Sequence, residues 1–260
     1  MTYAYYIMRT KKKKYEALSS MTNMYQISSW IDNIYIQSMN EQIYIKSENI
    51  ADIYTKITSG ANKVILEICC GAGDYTVGMA RLDNSGDSMY IWVDIKGDRL
   101  YKWANIAIEE WLVNVAWIRG DIRQLTQVLW FAGIDEIWIT FPDPQLWDNN
   151  EHNRVTSPKF LSIYSKLLKP NGFLCIKTDD AEFADYTICK LHDNDDFVIS
   201  IHIDDVVWFL ENSEWSEYQE IITNKSENSS NIKNLLQITT WYESRRRQMD
   251  KKIQFISALR

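Results

Sequence analysis

The chain has 260 residues, 46% of them hydrophobic, and a net charge of −7. That apolar share supports a full core and excludes disorder throughout. No apolar run reaches the roughly 18–20 residues that cross a bilayer, so no membrane span is expected, and the basic cluster Lys11–Lys14 follows the aromatic start in the wrong order for a secretory leader. The expectation is a cytoplasmic protein.

Residues 1–30 read as a basic N-terminal arm, and 31–260 as a single domain. Ile31–Ser59 reads as irregular structure leading into a short helix around Ser47–Thr58. An alternation follows. Val64–Cys69 is a buried strand, Asp74–Leu82 a helix, Ser88–Asp94 a strand, Asp98–Trp111 a helix and Val113–Ile118 a third strand. Ile122–Trp130 is helical, and Asp135–Thr140 is a fourth strand. Ser157 and Pro158 suit the start of a helix that runs to Leu168. Lys169-Pro-Asn-Gly172 stops it; Phe173–Lys177 is a fifth strand and Asp180–Leu191 a helix. Strands alternating with helices predict an α/β fold with a parallel sheet covered on both faces. Such sheets bind ligands beyond the carboxyl ends of their strands. Acidic residues stand at those ends: Glu67 and Asp74, Asp94, Asp121, Asp143 and Asp179.

The cysteines Cys69, Cys70, Cys175 and Cys189 show neither a disulfide framework nor metal-ligand spacing, so no metal is expected. The acidic total argues mildly against a nucleic-acid partner. Two basic segments, Lys11–Lys14 and Arg245–Lys252, still allow RNA to lie along one face.

Four constellations carry chemistry. In Glu67-Ile-Cys-Cys-Gly71-Ala-Gly73 the two glycines permit a tight strand-to-helix turn and close approach of a ligand. Thr76 stands where a dinucleotide fold has its third glycine, and no Gly-Lys-Ser/Thr follows, so neither a dinucleotide nor a phosphate loop is expected. An acidic side chain inside the strand suits a cationic, amino-bearing ligand; S-adenosylmethionine has that chemistry. Asp94 can accept both ribose hydroxyls of an adenosine. Asp121, after Gly120, can reach an adenine amino group. Two prolines around Asp143 in Phe141-Pro-Asp-Pro144 fix its backbone just beyond the fourth strand.

With these residues in view, the chain resembles the single-chain bacterial tRNA (guanine-N7)-methyltransferases. The matching pieces are Leu66–Gly73, Val93–Leu100, Arg119–Ile122, Phe141–Pro144, Arg154–Pro158, Leu168–Gly172, Lys177–Asp179 and Thr240–Glu243. The resemblance implies a Rossmann-like class I methyltransferase fold: a mostly parallel, doubly wound sheet with an antiparallel strand near the C-terminus. It implies a cofactor half at about 60–191 and an RNA-facing part at about 192–260. The implied reaction moves a methyl group from S-adenosylmethionine to N7 of a variable-loop guanine in tRNA. Glu67, Gly71, Gly73, Asp94, Asp121 and Asp143 are the implied cofactor contacts, and Asp143 is the implied catalytic residue. Asp179 and Thr240, Trp241, Tyr242 and Glu243 are the implied guanine contacts. Where the family carries a lysine-rich stretch, this chain has Gln145–Asn153, with Trp147 at the position of the substrate-binding lysine and Arg154 as the remaining cation. Trp147 and Trp241 are candidates to stack on the target base. A non-catalytic RNA-binding relative and a small-molecule methyltransferase are the alternatives. Monomer and homodimer both stay open.

Overall fold

In a computed structural model of the chain, the described residues are 13–14, 16–17, 21, 24–30, 33–38, 44–46, 54–55, 57–58, 60–69, 73–126, 133–212 and 232–260. Lys11, Lys12, Gly71 and the end of the expected helix at 127–130 lie outside them. Among the described residues no helix is long and apolar enough to cross a membrane.

The elements, in chain order, are β1 (Met24–Trp30), β2 (Asn33–Ser38), β3 (Tyr44–Lys46), β4 (Lys63–Ile68), α1 (Asp74–Leu82), β5 (Ser88–Asp94), α2 (Gly97–Glu109) and β6 (Val115–Arg119). Then come β7 (Ile134–Thr140), α3 (Pro158–Leu167), β8 (Leu168–Thr178), α4 (Ala181–His192), β9 (Val198–Ile203), α5 (Val206–Asn212), α6 (Ile232–Gln237), α7 (Trp241–Arg247) and β10 (Gln254–Leu259). Short 3-10 turns occupy Ile122–Gln124 and Asp148–Asn153. The chain divides into two compact units, one of Met1–Val64 with Cys70–Ala132, the other of Ile65–Cys69 with Gly133–Arg260.

In the first unit β5 pairs parallel with β6, and β6 pairs parallel with β1. β1 is the surprise: Met24–Trp30 lies in the stretch read as an arm. β2 and β3 continue antiparallel from it, through the stretch read as irregular. Trp30 pairs directly with Asn33. Hydrophobic burial holds this unit together. Ile91, Trp92, Trp117, Ile118 and Leu100 are fully withdrawn from solvent. Trp92 and Trp117 face each other across the β5–β6 register, ring centres 6.1 Å apart and planes at 55°.

In the second unit β4, β7 and β8 are parallel neighbours. β7 is buried along its whole length, as a central strand of a covered sheet should be. β10 runs antiparallel to β8 and β9, the expected antiparallel strand near the C-terminus. Stacked Trp138 and Phe255 anchor the core, 5.8 Å between ring centres. Pro158 opens α3 one residue after Ser157, as expected, although the Ser157 side chain makes no cap hydrogen bond. Lys169-Pro-Asn-Gly172 ends the helix but is not a loop. β8 starts at once at Leu168 and carries the four residues as an irregularity against β7. Asn171 takes a left-handed φ of 65° there. Lys169 Nζ donates to both oxygens of Asp135, at 2.8 Å each, which pins the irregular stretch to the start of β7.

Candidate functional site

Gly73 is the residue before α1 and sits at φ 90°, a conformation L side chains rarely adopt. A Cβ on Gly73 would lie 2.0 Å from the Trp92 ring. Glycine is therefore demanded twice, by backbone and by contact. Asp94 ends β5 and is nearly buried, with Oδ1 accepting from Lys96 N at 2.7 Å. Asp121 follows β6 and caps the next turn by accepting from Arg123 N at 2.8 Å. The Arg123 guanidinium pairs with the same carboxylate, and that hydrogen bond raises the Arg123 pKa. Asp94 and Asp121 stand at the carboxyl end of a strand or in the turn beyond one, as expected.

In the second unit, Glu67 lies in β4, buried, and its carboxylate accepts from Thr140 Oγ1 on the neighbouring β7. β4 ends at Ile68, and Cys69, directly after it, is left-handed at φ 59°. Beyond β7 the chain turns sharply, with Phe141 at φ 48° and Gln145 at φ 47°. Between them Asp143 is exposed, and its Oδ1 accepts from Gln145 N at 3.3 Å. Trp147 stands out on the same loop with 79% of its surface in solvent.

Arg154, the remaining cation of this loop, faces inward and is 8% exposed. Its Nε donates to Gln145 O at 3.0 Å and its Nη2 to Leu146 O at 2.8 Å. Its guanidinium also stacks on Tyr186, 4.4 Å from the ring centre. Tyr186 donates to Glu151 at 2.9 Å, and burial followed by that acceptor raises the Tyr186 pKa. Arg154 therefore clamps the loop to α4.

The late motif joins the same unit. Thr240 caps α7, its Oγ1 accepting from Glu243 N at 3.0 Å. Trp241 is 67% exposed, with Arg245 5.3 Å from its ring centre. Tyr242 meets Phe141 at 5.3 Å between ring centres, so the segment reaches the turn that carries Asp143. Asp179, at the end of β8, pairs with Arg246 of α7. Burial, and then the charge of Asp179, raises the Tyr242 pKa. Glu243 is buried and faces inward: Arg247 donates to Oε1, and Lys177 Nζ donates to Oε2 at 2.8 Å. Burial pushes the Lys177 ammonium down to about 8, against the pull of Glu243.

The structure thus brings Asp143, Asp179 and Thr240–Glu243 together in one unit, through Phe141, Tyr242 and Arg246. Sequence reading gave no role to Lys177 or Thr140, and it placed Arg246 only within the basic segment Arg245–Lys252. Lys177 did carry a signal, a lysine closing an apolar strand, which requires a buried partner. That partner is 66 positions away, beyond the reach of any spacing rule. Among the described residues, no group of three or more His, Cys, Asp or Glu is placed to hold a metal ion. Within the first unit, the Asp94 carboxylate at the end of β5 is of the kind that accepts from ribose hydroxyls.

A family model described as "Putative methyltransferase" matches residues 61–207. The tRNA (guanine-N(7)-)-methyltransferase of Christiangramia forsetii is 39% identical over 54% of this chain and 62% of its own. That of Porphyromonas gingivalis is 37% identical over 52% of this chain and 53% of its own. The Mycoplasma genitalium enzyme of the same name is 30% identical over 71% of this chain and 84% of its own. The chain thus spans about half to three-fifths of the first two relatives. Two solved structures share the fold. An antibiotic-related methyltransferase aligns with TM-score 0.54 and 18% identity over 84% of this chain and 95% of that one. The 16S rRNA methyltransferase KamB aligns with TM-score 0.51 and 11% identity over 79% of this chain and 91% of that one. By the family match and the relatives together, the chain belongs to the tRNA (guanine-N(7)-)-methyltransferase family.

Proposed function

We propose that this chain transfers a methyl group from S-adenosylmethionine to N7 of a guanine in the variable loop of tRNA, in the cytoplasm. The observation that carries this is the linkage of the Asp143 turn, Asp179 and the capped Thr240–Glu243 segment within one compact unit. Family membership supports the same reading.

The cofactor, when bound, supplies a methyl group on a positively charged sulfur. By the family resemblance, Glu67, Gly71, Gly73 and Asp94 are read as contacts to its amino-acid and ribose parts, and Asp121 as a contact to its adenine. N7 of guanine has a free lone pair and no proton, so no general base is needed. What remains is alignment and charge. The reacting atoms must be held in line at near-attack distance. Positive charge that moves onto the purine is stabilised by nearby carboxylates. Asp143 suits that role: it is exposed and held by a turn with two left-handed residues. Asp179 and Thr240 would contact the base directly. Trp147 and Trp241, both largely exposed, are available to stack on a base drawn from its stack. Glu243, with its two oxygens engaged by Arg247 and Lys177, would act by ordering α7.

The deciding assay is tritium transfer from labelled S-adenosylmethionine to bulk unmodified tRNA, followed by nuclease mapping of the modified base. The expected product is 7-methylguanine in tRNA. Tight cofactor binding with no transfer to any tRNA would leave a non-catalytic relative; transfer to small molecules alone would leave the other alternative. Asp143→Ala is expected to lower kcat by about 100-fold, the size of one lost electrostatic contact, with tRNA Kd nearly unchanged. Equal losses in both would assign Asp143 to the fold.

A further inference from the structure

Among the described residues, Lys177 is the buried lysine, with none of its side chain in solvent. A lysine ammonium has three donors and no acceptor. Here they reach three acceptors: Glu243 Oε2 at 2.8 Å, Ile238 O at 3.0 Å and Leu236 O at 3.3 Å. All three acceptors lie on the stretch between the last turn of α6 and the first turn of α7. The Lys177 carbonyl meanwhile accepts from Phe141 N at 2.8 Å. Its backbone therefore holds the turn that carries Asp143, while its side chain holds the segment that carries Thr240, Trp241 and Tyr242.

Stability is a poor explanation for such an arrangement. Burying an ammonium and a carboxylate costs several kcal/mol per ion, and apolar residues of similar volume commonly do as well or better. A methionine at position 177 would fill the space. It would leave the two carbonyls and Glu243 without the donor that fixes where the chain enters α7. A main-chain carbonyl contact is also specific about register, because sliding the loop by one residue presents no oxygen at the same place.

We infer that Lys177 is a positioning residue, whose ammonium fixes the Thr240–Glu243 segment against the Phe141–Asp143 turn and so sets how the target guanine is gripped. This rests on the guanine-N7 reading of the same site. It assigns Lys177 no contact with base or cofactor.

The test is steady-state methyl transfer to tRNA by the full chain, comparing wild type, Lys177→Met and Lys177→Arg, with cofactor Kd measured by calorimetry. For Lys177→Met the expected result is a tRNA KM raised by about tenfold or more, with kcat changed by less than about threefold and cofactor Kd unchanged; this is the pattern of lost substrate grip. Lys177→Arg, which keeps the charge and several donors, should recover part of the KM. A folded Lys177→Met with wild-type KM overturns the inference. So does a parallel loss of cofactor affinity, which would mark a general structural defect. Where Lys177→Met does not fold, Lys177→Gln takes its place, because its amide keeps two N–H donors; failure of both to fold assigns the residue to stability alone. Absence of tRNA methylation by the wild type would instead sink the proposed function, so the two failures are distinct.

Discussion

At Cys69 the backbone enters the left-handed region at φ 59°, directly after β4. A side chain there costs about 1–2 kcal/mol relative to glycine, because Cβ crowds the following carbonyl. Cys69→Gly is therefore expected to stabilise the protein by about 1 kcal/mol, read as a higher urea midpoint at unchanged slope. A lower midpoint would mean that the half-buried thiol contributes more than the strain it brings. Four residues on, Gly73→Ala has the opposite outcome. Its Cβ meets the Trp92 ring at 2.0 Å, and its φ of 90° is left-handed. Overpacking and backbone strain together should destabilise by about 3 kcal/mol, and cofactor affinity should fall with the distorted turn. Calorimetry with S-adenosylmethionine at a temperature where the variant stays folded checks both. The acids at strand ends were legible at this scale, because each follows an apolar run with a clear end. What each acid holds was not. Asp179 meets Arg246 and Glu243 meets Lys177 over 67 and 66 positions, and Arg154 turns inward because the carbonyls of Gln145 and Leu146 point at it.

The element that most departs from sequence expectation is the loop from Phe141 to Arg154. In the sequence it is the stretch where the family's lysines are missing and Arg154 is the remaining cation. In the structure it is a clamped turn, tied to α4 by Arg154 on Tyr186 and by Tyr186 on Glu151. Arg154→Met keeps the aliphatic stem but removes both donors to Gln145 O and Leu146 O. The expected cost is about 2–3 kcal/mol, since hydrogen bonds from a charged group are at stake, together with a drop in kcat as the Asp143 turn loosens. Unfolding in urea and single-turnover transfer check the two parts. An unchanged kcat would separate the clamp from the chemistry. The βα alternation was legible because buried parallel strands are short apolar runs with polar ends. β1 and β2 were not, because the sequence has no glycine between Trp30 and Asn33 to mark a hairpin. The end of α3 was found, but the residues after it looked like a loop: Pro170 and Gly172 signal a stop, and only pairing with β7 and β10 shows that the strand has begun.

For the molecule as a whole, Lys177 links folding to pH. Its folded-state pKa is lowered by burial to about 8 from the ordinary 10.5. Between these values the unfolded chain still holds the proton that the folded chain has released. The unfolded state then binds more protons, so the free energy of unfolding contributed by this group rises with pH through that window. Below pH 8 the group instead contributes a constant cost of burial. Wild-type stability measured relative to Lys177→Gln should therefore increase from pH 8 towards pH 10. A flat or falling difference would show that the ion pair with Glu243 outweighs burial.

The two indoles of Trp92 and Trp117 have an optical consequence. Buried indoles 6.1 Å apart and inclined at 55°, held in one fixed packing, contribute bands to the near-ultraviolet circular dichroism that reports side-chain packing. Such bands vanish when side-chain packing is lost even if secondary structure survives. The Trp92 ring also lies against Gly73, so its signal reports on the residue that opens α1. A ligand that settles there would alter the band shape without unfolding anything, which gives the protein a label-free signal for occupancy that needs neither tRNA nor turnover.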